Sequence, residues 1–358
     1  MIEGECMINN PFLIGLLCFL TVIAVTPLVI RLAIKINAVD EPNQRKVHTK
    51  VMPRLGGLSI VIGVGIGFLL SGLFEKQILG ITLGALVIIL LGFADDIYHL
   101  SALKKLIAQA VAGMLVVMSG LIIEIINIPF IGAFEIGYFS YPLTIFWIIA
   151  ITNAINLIDG LDGLAAGTSS IIVFTIGVMA FLSGKEMIFT ISIIIFGSVV
   201  GFLLYNFHPA KIFMGDIGAL FLGYCIAILS LLGLYKSVTL FSFIVPILLL
   251  GVPIFDTAFA IIRRIVNKQS IVKPDKGHLH HRLLKKGLSH RKTVLFIYGM
   301  GLMFSATAII LPLTTLRGTI VIILLLVLFL QFLAEKIGLV NERFTPFLNI
   351  LSKVHQKK

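Results

Sequence analysis

The stretch 187–205, MIFTISIIIFGSVVGFLLY, runs for nineteen residues without a charge. An α-helix rises ~1.5 Å per residue, so a run of this length crosses most of a ~30 Å hydrocarbon layer. In lipid, a single segment satisfies its own backbone only as a helix. Outward from this run the pattern repeats. Ser183–Glu186 separates it from an apolar run at 164–182, and Asn206–Asp216 leads on to another at 217–235. Continued to both ends, the reading gives about eleven spans: 11–31, 55–74, 78–94, 106–126, 142–158, 164–182, 187–205, 217–235, 239–262, 293–313 and 318–334.

Composition agrees with that count. The chain is 58% hydrophobic and 13% charged, with a mean hydropathy of +1.09; soluble domains carry ~25% charged residues. The expected fold is all-α and polytopic, with residues 1–334 as one transmembrane domain and 335–358 as an amphipathic tail on the membrane surface. Cys6, Cys18 and Cys225 lie far apart, two of them inside apolar runs, and suggest no disulfide framework. Met1–Pro11 holds no Lys or Arg, unlike the start of a secretory signal, so the first run reads as a retained helix.

Charge sets the expected direction. Of the 28 Lys and Arg residues, all but Lys76, Lys185, Lys236 and Arg317 fall in, or at the edge of, 32–54, 95–105, 159–163, 206–216, 263–292 and the tail. The positive-inside bias places these segments in the cytoplasm, with the N-terminus outside and the C-terminus inside. The net charge of +11 is then a matter of topology and anionic headgroups, and nucleic acid is not an expected partner.

The aspartates also gather at that face. Asp95, Asp96, Asp159, Asp162, Asp216 and Asp256 each adjoin or interrupt an apolar run. A carboxylate at a membrane edge is costly without a partner and marks a functional candidate; the bland alternative, a helix cap, is weakened when so many share one depth. Asp95 and Asp96 are adjacent, so a proton, cation or metal must neutralise one of them. With no counter-charge beside them, the pair suits Mg²⁺ and phosphate chemistry. Asn153, Asn156, Asp159 and Asp162 recur every third residue, a polar stripe if the segment is helical. Asp216 opens a span, where it can cap the helix and hold a metal together with an amide or carboxylate of that stripe.

Two basic loops complete the picture. One centres on His278-Leu279-His280-His281-Arg282. No Cys, and no carboxylate other than Asp275, stands near to complete a tetrahedral zinc set. Contact with a phosphate or sugar is the better reading, and a solvated loop that only sets topology is the alternative. The other loop, Asp40–Gly57, includes Lys46, His48 and Arg54; substrate contact and a structural role stand equal there.

Taken in order, these motifs resemble the polyprenyl-phosphate N-acetylhexosamine-1-phosphate transferases, along nearly the whole chain from Pro53-Arg54-Leu55-Gly56-Gly57 to the histidine loop. The resemblance implies an enzyme of the plasma membrane with a cytoplasmic active site, Mg²⁺ as cofactor (Mn²⁺ as a substitute), and a UDP-sugar and a polyprenyl phosphate as substrates. Family members can pair, so a homodimer is allowed. Asp95 and Asp96 match the paired aspartates and Lys105 a phosphate-binding lysine. Asn156 and Asp159 fall on an Asn-x-x-Asp-Gly element flanked by Asn153 and Asp162, and Asp216 matches the metal-binding aspartate. His278, His280 and His281 fall on the histidine motif, with Arg282 beside them. The relative that transfers phospho-MurNAc-pentapeptide carries three consecutive His; the interrupted run here favours the N-acetylglucosamine branch, which begins teichoic acid, O-antigen or similar surface polymers. A secondary transporter would carry its ionisable residues near the midplane, and an aspartyl protease would need a Tyr-Asp partner and a glycine where Phe213 stands.

Overall fold

The computed structural model describes residues 10–41, 51–73, 76–128, 132–234, 244–266, 268 and 277–339. The helices are α1 (Pro11–Lys35), α2 (Gly57–Ser71), α3 (Lys76–Tyr98), α4 (Ala102–Met118), α5 (Ser140–Ile158), α6 (Leu164–Leu182), α7 (Glu186–Asn206), α8 (Gly215–Leu234), α9 (Ile244–Leu249), α10 (Gly251–Val266), α11 (Leu279–Lys285), α12 (His290–Ile310) and α13 (Leu316–Ile337). Among the described residues, eight helices are long and apolar enough to cross a membrane: α1, α3, α5, α6, α7, α8, α12 and α13. The protein is a polytopic, almost wholly helical membrane protein.

The other three expected spans fall on shorter helices, each for a local reason. The run 106–126 is helical only within α4, 17 residues long. It ends at Ser119–Gly120, where Gly120 takes φ +86, and the β-branched residues beyond enter a hairpin of β3 (Ile125–Ile128) with β4 (Gly132–Glu135). A second two-stranded pair, β1 (Val39–Asp40) with β2 (Met52–Pro53), frames the loop before α2; both hairpins depart from an all-helical expectation. Run 55–74 is the 15-residue α2. Run 239–262 divides into α9 and α10 at Leu250: Pro253 has no N–H to give the Leu249 carbonyl, and its ring crowds that position. The tail beyond residue 339 lies outside the described residues.

α8 is the buried axis. Ile217, Ala219, Leu220, Leu222 and Ile226 are fully enclosed, and α8 packs against α2, α3, α5 and α6. A helix apolar on every side belongs in such a position. α1 and α7 pack along each other through Gly15 and Gly197: a Cβ on Gly197 would stand 2.3 Å from the Gly15 carbonyl oxygen, so bare backbones make the contact.

Candidate active site

The site grows from the way α8 begins. Residues 53–57 run beside 213–214: the Phe213 N–H donates to the Pro53 carbonyl (2.9 Å), Gly56 N–H to Phe213 (2.9 Å) and Gly57 N–H to Met214 (2.7 Å). Glycines permit the approach. A Cβ on Gly57 would lie 2.1 Å from the Gly218 nitrogen, and one on Gly92 would lie 2.4 Å from Ile217 Cα. The first turn of α8 therefore lodges between α2 and α3, level with Asp95 and Asp96. Gly215, at φ +72, turns the chain into the helix; a Cβ there would meet the Arg54 carbonyl oxygen at 2.0 Å and an Asp96 carboxylate oxygen at 2.6 Å.

Each carboxylate of the pair has its own task. Asp96 is 4% exposed and accepts from the backbone N–H groups of Asp216 (2.8 Å) and Ile217 (3.0 Å). It thus caps α8 from a neighbouring helix, where orphan N–H groups and the positive helix end favour an anion. Arg54 Nε stands 3.1 Å from the same carboxylate. Asp95, 2% exposed, accepts from the Leu100 N–H at 2.7 Å and pairs with Lys105.

Asp216 joins the two halves. Arg54 Nη2 lies 3.3 Å from one of its oxygens and Lys105 Nζ 2.6 Å from the other. The counter-charges that seemed missing around Asp95 and Asp96 are thus Lys105 and Arg54, the second reaching in from 42 residues earlier in the chain. Three carboxylates face two cations, one negative charge in excess.

Asp159 brings in a fourth acid. Asn153 and Asn156 ride on α5, but the helix stops at Ile158 and Asp159 is its C-cap; Asp159 and Asp162 therefore sit in the turn before α6, and the four residues do not form a continuous helical stripe. The side chain of Asn153 is paired at both ends with Gln109 of α4, at 2.7 and 3.3 Å. Desolvation, then the charges of Asp216, Asp96 and Asp162, push the Asp159 carboxyl up to about 7 against the pull of Arg54. A carboxyl so placed among carboxylates, with an unbalanced negative charge beside it, is a donor set suited to a hard divalent cation, and the residues fit Mg²⁺ in chemistry.

The histidine loop reaches this turn from another side. His278 Nδ1 lies 2.9 Å from Asp256 Oδ2, and the Leu279 N–H donates to the other oxygen at 2.7 Å; Asp256 both orients His278 and caps α11. His280 is 3% exposed and packs over Gly160, where a Cβ would stand 2.4 Å from its Nε2. Burial pushes its imidazole down to about 3, so it is neutral at ordinary pH. His281 and Arg282 follow on α11. Lys46, His48 and Asp275 lie outside the described residues.

Some supports were not singled out from the sequence. Asn206 accepts from the Gly163 N–H (3.0 Å) and donates to the Ile212 carbonyl (2.9 Å), holding both loops at once. Tyr298 donates its hydroxyl to the Gly163 carbonyl at 2.5 Å. Asn206 carries a visible signal, an amide at the end of an apolar run; Gln109 and Tyr298, inside apolar helices, carry none.

Comparison with known proteins identifies the family. Residues 78–234 match glycosyl transferase family 4. The chain is 57% identical to a protein of Bacillus subtilis (strain 168) named "Probable undecaprenyl-phosphate N-acetylglucosaminyl 1-phosphate transferase", over 94% of each chain. It is 36% identical to the decaprenyl-phosphate N-acetylglucosaminephosphotransferase of Mycobacterium tuberculosis (strain ATCC 25618 / H37Rv), over 80% of this chain and 78% of the relative. It is 27% identical to the undecaprenyl-phosphate alpha-N-acetylglucosaminyl 1-phosphate transferase of Yersinia pestis, over 75% of each. The chain belongs to glycosyl transferase family 4, among the polyprenyl-phosphate sugar-1-phosphate transferases that its motifs resemble.

Proposed function

We propose that the protein transfers N-acetylglucosamine 1-phosphate from UDP-N-acetylglucosamine to undecaprenyl phosphate, with release of UMP, as the first membrane step of a surface-polysaccharide pathway. The supporting observation is the meeting of Asp95, Asp96 and Asp216 with Arg54 and Lys105 where α2, α3, α4 and α8 come together. The site is assigned to the cytoplasmic face of the plasma membrane, because the basic loops cluster with it.

In the reaction, an oxygen of the lipid phosphate bonds to the β-phosphorus of the nucleotide sugar, and the bond from that phosphorus to the bridging oxygen breaks, leaving UMP. Both reactants are anions, so the residues must offset repulsion and hold the two in line. Lys105 and Arg54 are placed to shift from the carboxylates onto substrate phosphates. Asp96, with both oxygens engaged by α8 and Arg54, takes a positioning role; Asp95 is left to orient the acceptor phosphate or keep it deprotonated. Mg²⁺ (or Mn²⁺), when bound, supplies charge neutralisation at the diphosphate. Asp216 would hold it, with Asn156 and Asp159 at the facing end of α5. Neutral His280, set against Gly160, and His278, fixed by Asp256, would shape the sugar or phosphate pocket.

The direct test uses purified protein in detergent with undecaprenyl phosphate, Mg²⁺ and a panel of radiolabelled UDP-sugars. Label from UDP-N-acetylglucosamine should enter the organic phase with one UMP released per transfer. Label arriving only from another UDP-sugar, or none from any, would overturn the proposal.

A further inference from the structure

A second polar cluster lies beside this site. Asp162 belongs to the turn before α6, His208 follows the end of α7, and His290 is the first residue of α12. Each offers one ligand atom, and the three atoms lie within 4.8 Å of one another. The His208 and His290 rings are stacked, with centroids 4.0 Å apart and planes 18° from parallel.

A hydrogen bond already joins two of the three side chains. Asp162 Oδ2 lies 2.7 Å from His208 Nδ1 and accepts from the Ala210 N–H at 3.1 Å. The His290 Nε2 is buried with no hydrogen-bond partner among the described residues. An unsatisfied buried polar atom asks for a physical reason, and a metal ion supplies one. The frame is independently braced, since Arg291 Nε donates to the His208 carbonyl at 3.2 Å.

We propose that Asp162, His208 and His290 form a second metal site, selective for a borderline divalent ion such as Zn²⁺ or Co²⁺ over Mg²⁺. Two imidazoles and a carboxylate suit those ions, whereas Mg²⁺ takes oxygen ligands. Metal–ligand bonds of ~2.0–2.2 Å set tetrahedral ligands roughly 3.3–3.5 Å apart, so closing the site needs side-chain shifts of about 1–2 Å and a swing of one imidazole out of the stack, because a ring binds a metal through a lone pair in its own plane. The Asp162 and His208 side chains retain 17% and 37% exposure, which leaves an entry path. A bound ion would tie the turn carrying Asp159 to the start of α12. The inference does not rest on the transfer reaction.

The test is metal binding by the full-length protein, purified without a histidine tag and free of substrates. Co²⁺ titration should show one equivalent with a visible ligand-field band, unaffected by a hundredfold excess of Mg²⁺, and Zn²⁺ should displace it and raise the melting temperature. His290→Ala and His208→Ala should each weaken Co²⁺ binding at least tenfold, while His281→Ala leaves it unchanged. His290→Gln, which keeps the ring's approximate volume, separates ligand loss from misfolding: its metal-free melting temperature should match wild type and its band should vanish. Absence of a stoichiometric band, or a band that survives both His290 variants, shows the cluster to be only a hydrogen-bonded brace and overturns the site.

Discussion

At the scale of single residues, Asp216 is where opposing demands meet: it opens α8, accepts both site cations and is the proposed metal holder. Asp216→Asn keeps the shape and removes the charge. Turnover, followed as UMP release, should fall by orders of magnitude while the protein still elutes as a folded species; wild-type rates would remove the metal assignment. Gly215 has no such latitude, because φ +72 and the Arg54 carbonyl at 2.0 Å exclude a side chain. Gly215→Ala should lose ~1–2 kcal/mol to backbone conformation alone, with more from the clash, seen as a lower melting temperature and lost activity. Asp159 makes a prediction in pH. Its folded pKa of about 7 exceeds the unfolded value of ~3.9, so the folded state holds the extra proton between these values. Stability contributed by that proton is complete at the acid end and drains away as pH rises through ~7. In EDTA, melting temperature should therefore decline from pH ~5 to ~8, and Asp159→Asn should flatten the decline; an unchanged slope would show that Asp159 does not titrate there.

At the scale of elements, the site is a set of helix ends held at one depth. Asp96 satisfies two orphan N–H groups at the start of α8 from its place on α3, so the two helices cannot slide without losing the cap. Asn153 and Gln109 do the same between α5 and α4 through paired amides. Removing the Asn153 amide strands that of Gln109, which is buried, at a cost of ~1–3 kcal/mol. Asn153→Leu should accordingly lower thermal stability, and Asn153→Leu with Gln109→Leu should recover part of it; a double variant no better than the worse single one would deny the pairing its structural role. Gly57 and Gly92 set how near α2 and α3 come to α8, and hence whether Arg54 reaches Asp216.

For the whole molecule, the physical question is which face of the bilayer the cluster occupies. The basic segments predict the inner one. In a background lacking native cysteines, Ser183→Cys, between α6 and α7, should react with a membrane-impermeant maleimide in intact cells. Lys104→Cys, in the first turn of α4, should react only after permeabilisation. The opposite pattern would place the site outside, away from cytoplasmic nucleotide sugars.

Much of this was legible from residues alone. Long uncharged runs determine that the chain crosses a bilayer repeatedly, because the cost of unbonded backbone in lipid leaves a single segment no alternative to a helix. Asp95, Asp96, Asp159 and Asp216 announced themselves because charge at a membrane edge is expensive and therefore rare. What the sequence does not encode locally is which groups face which. Arg54 reads as one more basic loop residue until 53–57 pairs with 213–214, and Asp96 reads as chemistry until it proves to cap a helix 120 residues away. Gln109, Tyr298 and the Asp162–His208–His290 cluster follow the same rule. A side chain's partner is set by packing between distant elements, and that is decided only when the helices have come together.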